Sequence, residues 1–141
     1  MAKQYEYLPH TADVKFKAYG KDLEEAFKNA ALATFDIMTD IKKVKTKIEK
    51  EISVKAIRKE TLLYDFLEAL LYQMDTEGFL LHEVKDIEIK KTDKGYTLNA
   101  LVAGDEAEGY DVSSYIKSVT YSDMFIKEEK GKVTIQVVHD I

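Results

Sequence analysis

Cysteine is absent from the 141 residues, which excludes disulfides, thiol nucleophiles and thiolate zinc sites. Proline occurs once, at Pro9, and arginine once, at Arg58, although lysine and arginine together number 21. Arginine is the side chain best suited to bidentate phosphate and guanine recognition. With a net charge of −5 as well, the chain is a poor candidate for tight nucleic-acid binding, whose footprint is a basic face, and no direct, high-affinity nucleic-acid contact is expected. No apolar run approaches the ~20 residues of a membrane helix, and the start, Met1-Ala2-Lys3-Gln4-Tyr5-Glu6, holds no signal-peptide core. The expectation is a cytoplasmic protein without membrane contact. Asparagine and glutamine are scarce beside abundant lysine and glutamate, a bias shared with hyperthermophile proteins.

What is present suits one ordinary globular domain over 1–141, 45% hydrophobic and 33% charged, long enough to bury a core. Tyr5 to Leu8 reads as a short strand stopped by Pro9. Val14 to Tyr19 reads as a second, with Val14, Phe16 and Ala18 on one face and lysines between them. Asp22, with Glu25 three residues on, resembles a capping box and starts a helix to about Met38. Its buried stripe is Leu23, Ala26, Phe27, Ala30, Thr34, Phe35 and Met38. Ile48 to Ala56 alternates as a strand with one wet face. A second helix runs from about Lys59 to Thr76 with a broad apolar face, stopped by Gly78. Beyond it, Glu83 to Lys91 and Tyr96 to Ala103 flank the turn Asp93-Lys94-Gly95. Ile116 to Lys127 and Lys132 to Val138 flank Glu129-Lys130-Gly131. The fold class is α+β: about seven mostly antiparallel strands with two helices packed on the sheet.

Gly104 to Gly109 encloses acidic residues and lacks a following Lys-Ser/Thr, so it reads as a solvated loop and not a nucleotide cradle. His82 reads as a surface or hydrogen-bonded histidine. Two stretches carry more chemistry. The turn Pro9-His10-Thr11-Ala12-Asp13 crowds polar side chains beside the only proline, and the chain stops at His139-Asp140-Ile141. If the first and last strands are sheet neighbours, about 4.8 Å apart, Asp13, Asp140 and the Ile141 carboxylate converge. Such carboxylates are stable together only when a cation or protons neutralise them. An all-oxygen set suits Ca²⁺ or Mg²⁺; participation of His10 or His139 would favour Zn²⁺ or Mn²⁺. The plainer alternative makes Asp13 a turn residue capping its own backbone, beside a frayed terminus.

His10-Thr11-Ala12-Asp13, the helix Thr61-Leu62-Leu63-Tyr64-Asp65-Phe66-Leu67, Ile116-Lys117-Ser118-Val119-Thr120-Tyr121 and the terminal Asp140-Ile141 together resemble the archease family. The resemblance spans essentially the whole chain. It implies a non-catalytic protein that activates the RtcB-type tRNA-splicing RNA ligase. In that role it promotes ligase guanylylation and multiple turnover, and broadens nucleotide use. It also implies a divalent cation, Ca²⁺ first and Mg²⁺ next, held by Asp13, Asp140 and Ile141, and a functional lysine at Lys117. Two positions depart from the family pattern: many members have histidine where Tyr110 and Ser122 stand here. Outside the resemblance, the residues also admit a small metal-dependent hydrolase using Asp13, Asp140 and a histidine. A chaperone or modulator of nucleic-acid-processing proteins is the further alternative.

Overall fold

Val14, Phe16 and Ala18 alternate with lysines, and the strand they build organises half of the molecule. The computed structural model describes residues 3–9 and 13–141; His10, Thr11 and Ala12 of the polar turn lie outside the described residues. β1 (Tyr5–Leu8) pairs with β2 (Asp13–Gly20), β2 with β7 (Lys132–Asp140), and β7 with β6 (Ser118–Glu129). The result is a four-stranded antiparallel sheet in the order β1-β2-β7-β6. β3 (Ile48–Ala56), β4 (Phe79–Thr92) and β5 (Gly95–Glu106) form a second antiparallel sheet in the order β3-β5-β4.

The expected α+β class therefore holds, but the strands divide into two sheets instead of one. Helices α1 (Leu23–Met38) and α2 (Lys59–Glu77) each touch both. The reason is visible on α2. Leu62, Leu63, Phe66, Leu67, Leu70, Leu71 and Met74 are all buried, a band too wide for one sheet to cover. Phe27 of α1 stacks on Phe66 of α2, ring centroids 6.1 Å apart, and joins the two halves of the core. Asp22 caps α1 as expected: its Oδ1 accepts from the Glu25 amide at 2.9 Å, and Glu25 Oε1 accepts from the Lys21 amide at 2.9 Å. A cap of this kind contributes about 1 kcal/mol.

Several boundaries differ from the sequence reading. β4 begins at Phe79, four residues early, because Phe79, Leu80 and Leu81 are all buried and leave no room for a solvated turn after Gly78. The acidic loop is shorter than expected, since Gly104, Asp105 and Glu106 continue β5. A Cβ on Gly104 would stand 1.8 Å from the Leu80 carbonyl oxygen, so glycine is what lets β5 lie against β4 here. β6 starts at Ser118, leaving Ile116 and Lys117 before it, and a short 3-10 turn occupies Ile41–Lys43. The last strand neighbours β2, not β1.

Candidate metal and partner site

Directly paired residues on neighbouring strands share one face of a sheet. Asp13 is the register partner of Asp140, and Asp140 is the partner of Ser118. Asp13, Asp140 and Ser118 thus form one row across β2, β7 and β6 at an end of the four-stranded sheet. The next row, Val14, His139 and Val119, points the opposite way. The third, Lys15, Val138 and Thr120, returns to the aspartates' face.

Two features fasten this end. The Lys117 amide donates to the Asp140 carbonyl at 2.7 Å, so the backbone of Lys117 lies beside the last residues of β7. Its side chain is exposed. On β6, four residues (Tyr121, Ser122, Asp123 and Met124) stand opposite a single step of β7. Asp123 in this bulge adopts φ 53°, a left-handed conformation that aspartate tolerates better than most residues. Its carbonyl accepts from Gln136 Nε2 at 2.8 Å, and its carboxylate meets Lys15 Nζ at 3.4 Å. Gln136 and Lys15 both lie on the aspartates' face, so the bulge leans over that face.

The opposite edge of β6 is also closed. The Val119 amide donates to Glu68 Oε1 of α2 at 3.1 Å, and Tyr121 stacks on Tyr64, one helical turn from Glu68, with centroids 4.4 Å apart. A charged cap on an edge amide hinders addition of a further strand.

Every donor in the Asp13, Asp140 and Ser118 row is oxygen, and so are the main-chain oxygens of Ile141 that follow. That set fits a hard cation. Among the described residues no three His, Cys, Asp or Glu side chains gather as a metal cluster; the further oxygen donors beside the two aspartates there are those of Ile141 and Ser118.

His139 is excluded as a ligand of this row. It is fully buried, and its Nε2 lies 2.9 Å from the Thr34 hydroxyl of α1. That hydroxyl donates its proton to the Ala30 carbonyl, which leaves it to accept from His139 Nε2–H. Burial pushes the imidazole down to about 4, so it is neutral at physiological pH. Residue parity sends the His139 ring into the core while Asp140 faces outward, so the two side chains lie on opposite faces of β7. His10 lies outside the described residues.

His82 has the hydrogen-bonded role expected of it, with Nδ1 2.8 Å from the Ile41 carbonyl. Tyr110, at a departure from the family pattern, donates its hydroxyl to Asp105 at 2.7 Å and accepts from the Lys45 amide, away from the aspartates. Sequence reasoning missed Ser118 in the row, the Glu68 cap and the Thr34–His139 pair. Ser118 had a signal, because period two places it on the face of Thr120. The other two depend on helix placement and had none.

The model of the Archease protein family matches residues 5–141. Protein archease of Methanosarcina mazei is 38% identical over 141 residues, covering 99% of this chain and 97% of that relative. Protein archease of Pyrococcus abyssi is 39% identical over 142 residues, covering 99% of both. The solution structure of Methanobacterium thermoautotrophicum protein 1598 matches with a TM-score of 0.84 at 36% identity, over 98% of this chain and 99% of that one. A Thermotoga maritima crystal structure, described as an archease and possible chaperone, gives a TM-score of 0.62 at 18% identity, covering 100% and 98%. At that identity the likeness concerns the fold alone.

Proposed function

Because the chain belongs to the archease family, we propose that it activates an RtcB-type tRNA-splicing RNA ligase, promoting guanylylation and multiple turnover and broadening the nucleotides used. Membership itself carries the coarser role: a non-catalytic protein that activates an RNA-processing ligase. The metal-dependent hydrolase reading is set aside on that ground.

The observation that supports the finer reading is the convergence of Asp13, Asp140 and the Lys117 backbone at one end of one sheet. Asp13 and Asp140, with the main-chain oxygens of Ile141, would hold the divalent cation, with Ca²⁺ first and Mg²⁺ next. When bound, such an ion neutralises the opposed carboxylates and orders the end of β7. The residues supply the rest. Asp13 and Asp140 sit on paired strands whose spacing is set by the backbone ladder. The amide of Lys117 ties its loop to Asp140, so the position of the loop follows that of β7. The exposed Lys117 side chain then offers the ligase a positive charge on a preorganised support. Charge at an interface governs encounter and register more than monomer stability.

Steady-state RNA ligation at limiting ligase tests this reading. With the protein present, product should exceed one equivalent of ligase, and ATP should serve in place of GTP. Ligation that stops at one equivalent with or without the protein would overturn it.

A further inference from the structure

At the opposite end of the four-stranded sheet lies a cleft of about 730 Å³. Gly20 and Val133 pair there, seven residues along β2 from the Asp13–Asp140 pair, a separation of roughly 23 Å at strand rise. Lys3, Lys21, Lys28 and Lys132 line the cleft, with Tyr19 and Asn29. Four ammonium groups around one cavity are unexpected in a chain of net charge −5.

Of these four cations, only Lys3 meets a carboxylate at ion-pair distance among the described residues. Some lysines elsewhere are paired, among them Lys15 with Asp123, Lys50 with Glu77, Lys59 with Glu128 and Lys85 with Glu49. Lys3 pairs with Glu6. Among the described residues, Lys21, Lys28 and Lys132 have no carboxylate at ion-pair distance. Lys132 instead lies 5.5 Å from the centroid of the Tyr19 ring, which holds its ammonium at the cleft.

One carboxylate, Glu25, lines the cleft, and its Oε1 is engaged by the Lys21 amide at 2.9 Å. The floor is rigid. Asn29 is nearly fully buried and donates to the Tyr19 carbonyl at 2.6 Å. A Cβ on Gly20 would stand 2.3 Å from the Ala26 amide nitrogen, so β2 and the first turn of α1 are in close contact.

We propose that this cleft binds a polyphosphate-bearing ligand of nucleotide size, separately from the aspartate row. Lysine ammoniums recognise phosphate as point charges. Three unpaired ones, with Lys3 at the rim, outnumber the single carboxylate of Glu25 and leave the cleft a net positive charge that suits a polyphosphate chain. The volume exceeds that of one phosphate and lies in the range of small-ligand sites. The absence of an arginine fork makes charge number the main criterion, so affinity falls with added salt. The inference is independent of the ligase reading, since it concerns the isolated protein without metal.

The test is a backbone amide NMR titration of the full chain in metal-free, low-salt buffer with sodium tripolyphosphate, GTP and guanosine as probes. Saturable shifts centred on Gly20, Lys21, Asn29 and Gly131 with the two triphosphates, and none with guanosine, are expected. Equal affinity for tripolyphosphate and GTP assigns recognition to the phosphate chain; tighter GTP binding adds a contribution from the nucleoside. The combined variant Lys21→Gln, Lys28→Gln, Lys132→Gln should keep a folded spectrum and bind at least tenfold more weakly. Non-saturable shifts, shifts centred on Asp13 and Asp140, or undiminished binding by the folded variant would overturn the proposal.

Discussion

Replacing Asp140 by asparagine should stabilise the metal-free protein and destabilise it relative to wild type once calcium is added. Asp13 and Asp140 are direct register partners, which places their Cβ atoms about 5 Å apart. Two unit charges at that distance repel by roughly 0.8 kcal/mol with the screening of water, and by roughly 3 kcal/mol at an effective dielectric near 20. Both residues are half-buried, at the wet end of a sheet, and Asp13 takes part in a further polar interaction, so the lower figure sets the ceiling, at about 1 kcal/mol. Asparagine keeps the shape and leaves the backbone bond from Lys117 to the Asp140 carbonyl intact. In a domain of this size that relief raises Tm by about 3 °C. If the proposed site holds calcium, wild type at about 100 times Kd gains ~2.7 kcal/mol from binding alone, whereas the variant lacks one of the proposed ligands. Thermal melts followed by circular dichroism, with EDTA and then with excess calcium, should therefore cross. A variant less stable than wild type in EDTA would refute the repulsion argument. An equal calcium response in both proteins would remove Asp140 from the cation site.

Three further substitutions probe separate parts of the account. Lys117→Ala should leave urea unfolding within about 0.5 kcal/mol of wild type, because the side chain is exposed, yet abolish most ligase stimulation. Thr34→Val should cost about 2 kcal/mol by chemical denaturation, since it strips the partner from His139 Nε2 inside the core. Wild-type stability would mean that the pair contributes nothing. Gly104→Ala should lose 3 kcal/mol or more, on the order of a strained or overpacked core position, because its Cβ would meet the Leu80 carbonyl at 1.8 Å. Loss below about 1 kcal/mol would show that β4 can shift without penalty.

Local pattern made most elements legible before their arrangement was known. Alternation marked β2 and β3, the Asp22 and Glu25 pair marked the start of α1, and Gly78 marked the end of α2, where it adopts φ 66°. The division into two sheets was not legible, because strand pairing depends on which surfaces the helices cover. The start of β4 was misplaced because Phe79, Leu80 and Leu81 do not alternate; a strand segment buried on both faces looks like any other apolar run. The four-residue bulge in β6 was hidden because Ser122 and Asp123 read equally well as outward-facing strand residues. At the candidate site, the opposition of Asp13 and Asp140 was anticipated from the chemistry of two crowded stretches. The inward turn of His139 follows from parity alone once β2 and β7 are paired, but its partner Val14 lies 125 positions away in the chain. No local signal sets that register.

Single-turnover guanylylation of a cognate RtcB-type ligase measures the central claim most directly, because it isolates the step the protein is held to promote. Labelled GTP, divalent metal and ligase are mixed alone, with the wild-type protein, or with folded Lys117→Ala, and ligase-bound GMP is counted over time. The account predicts faster or more complete guanylylation with wild type and a return to the unassisted course with Lys117→Ala. Identical time courses with and without the wild-type protein, using a ligase that binds it, would contradict the account.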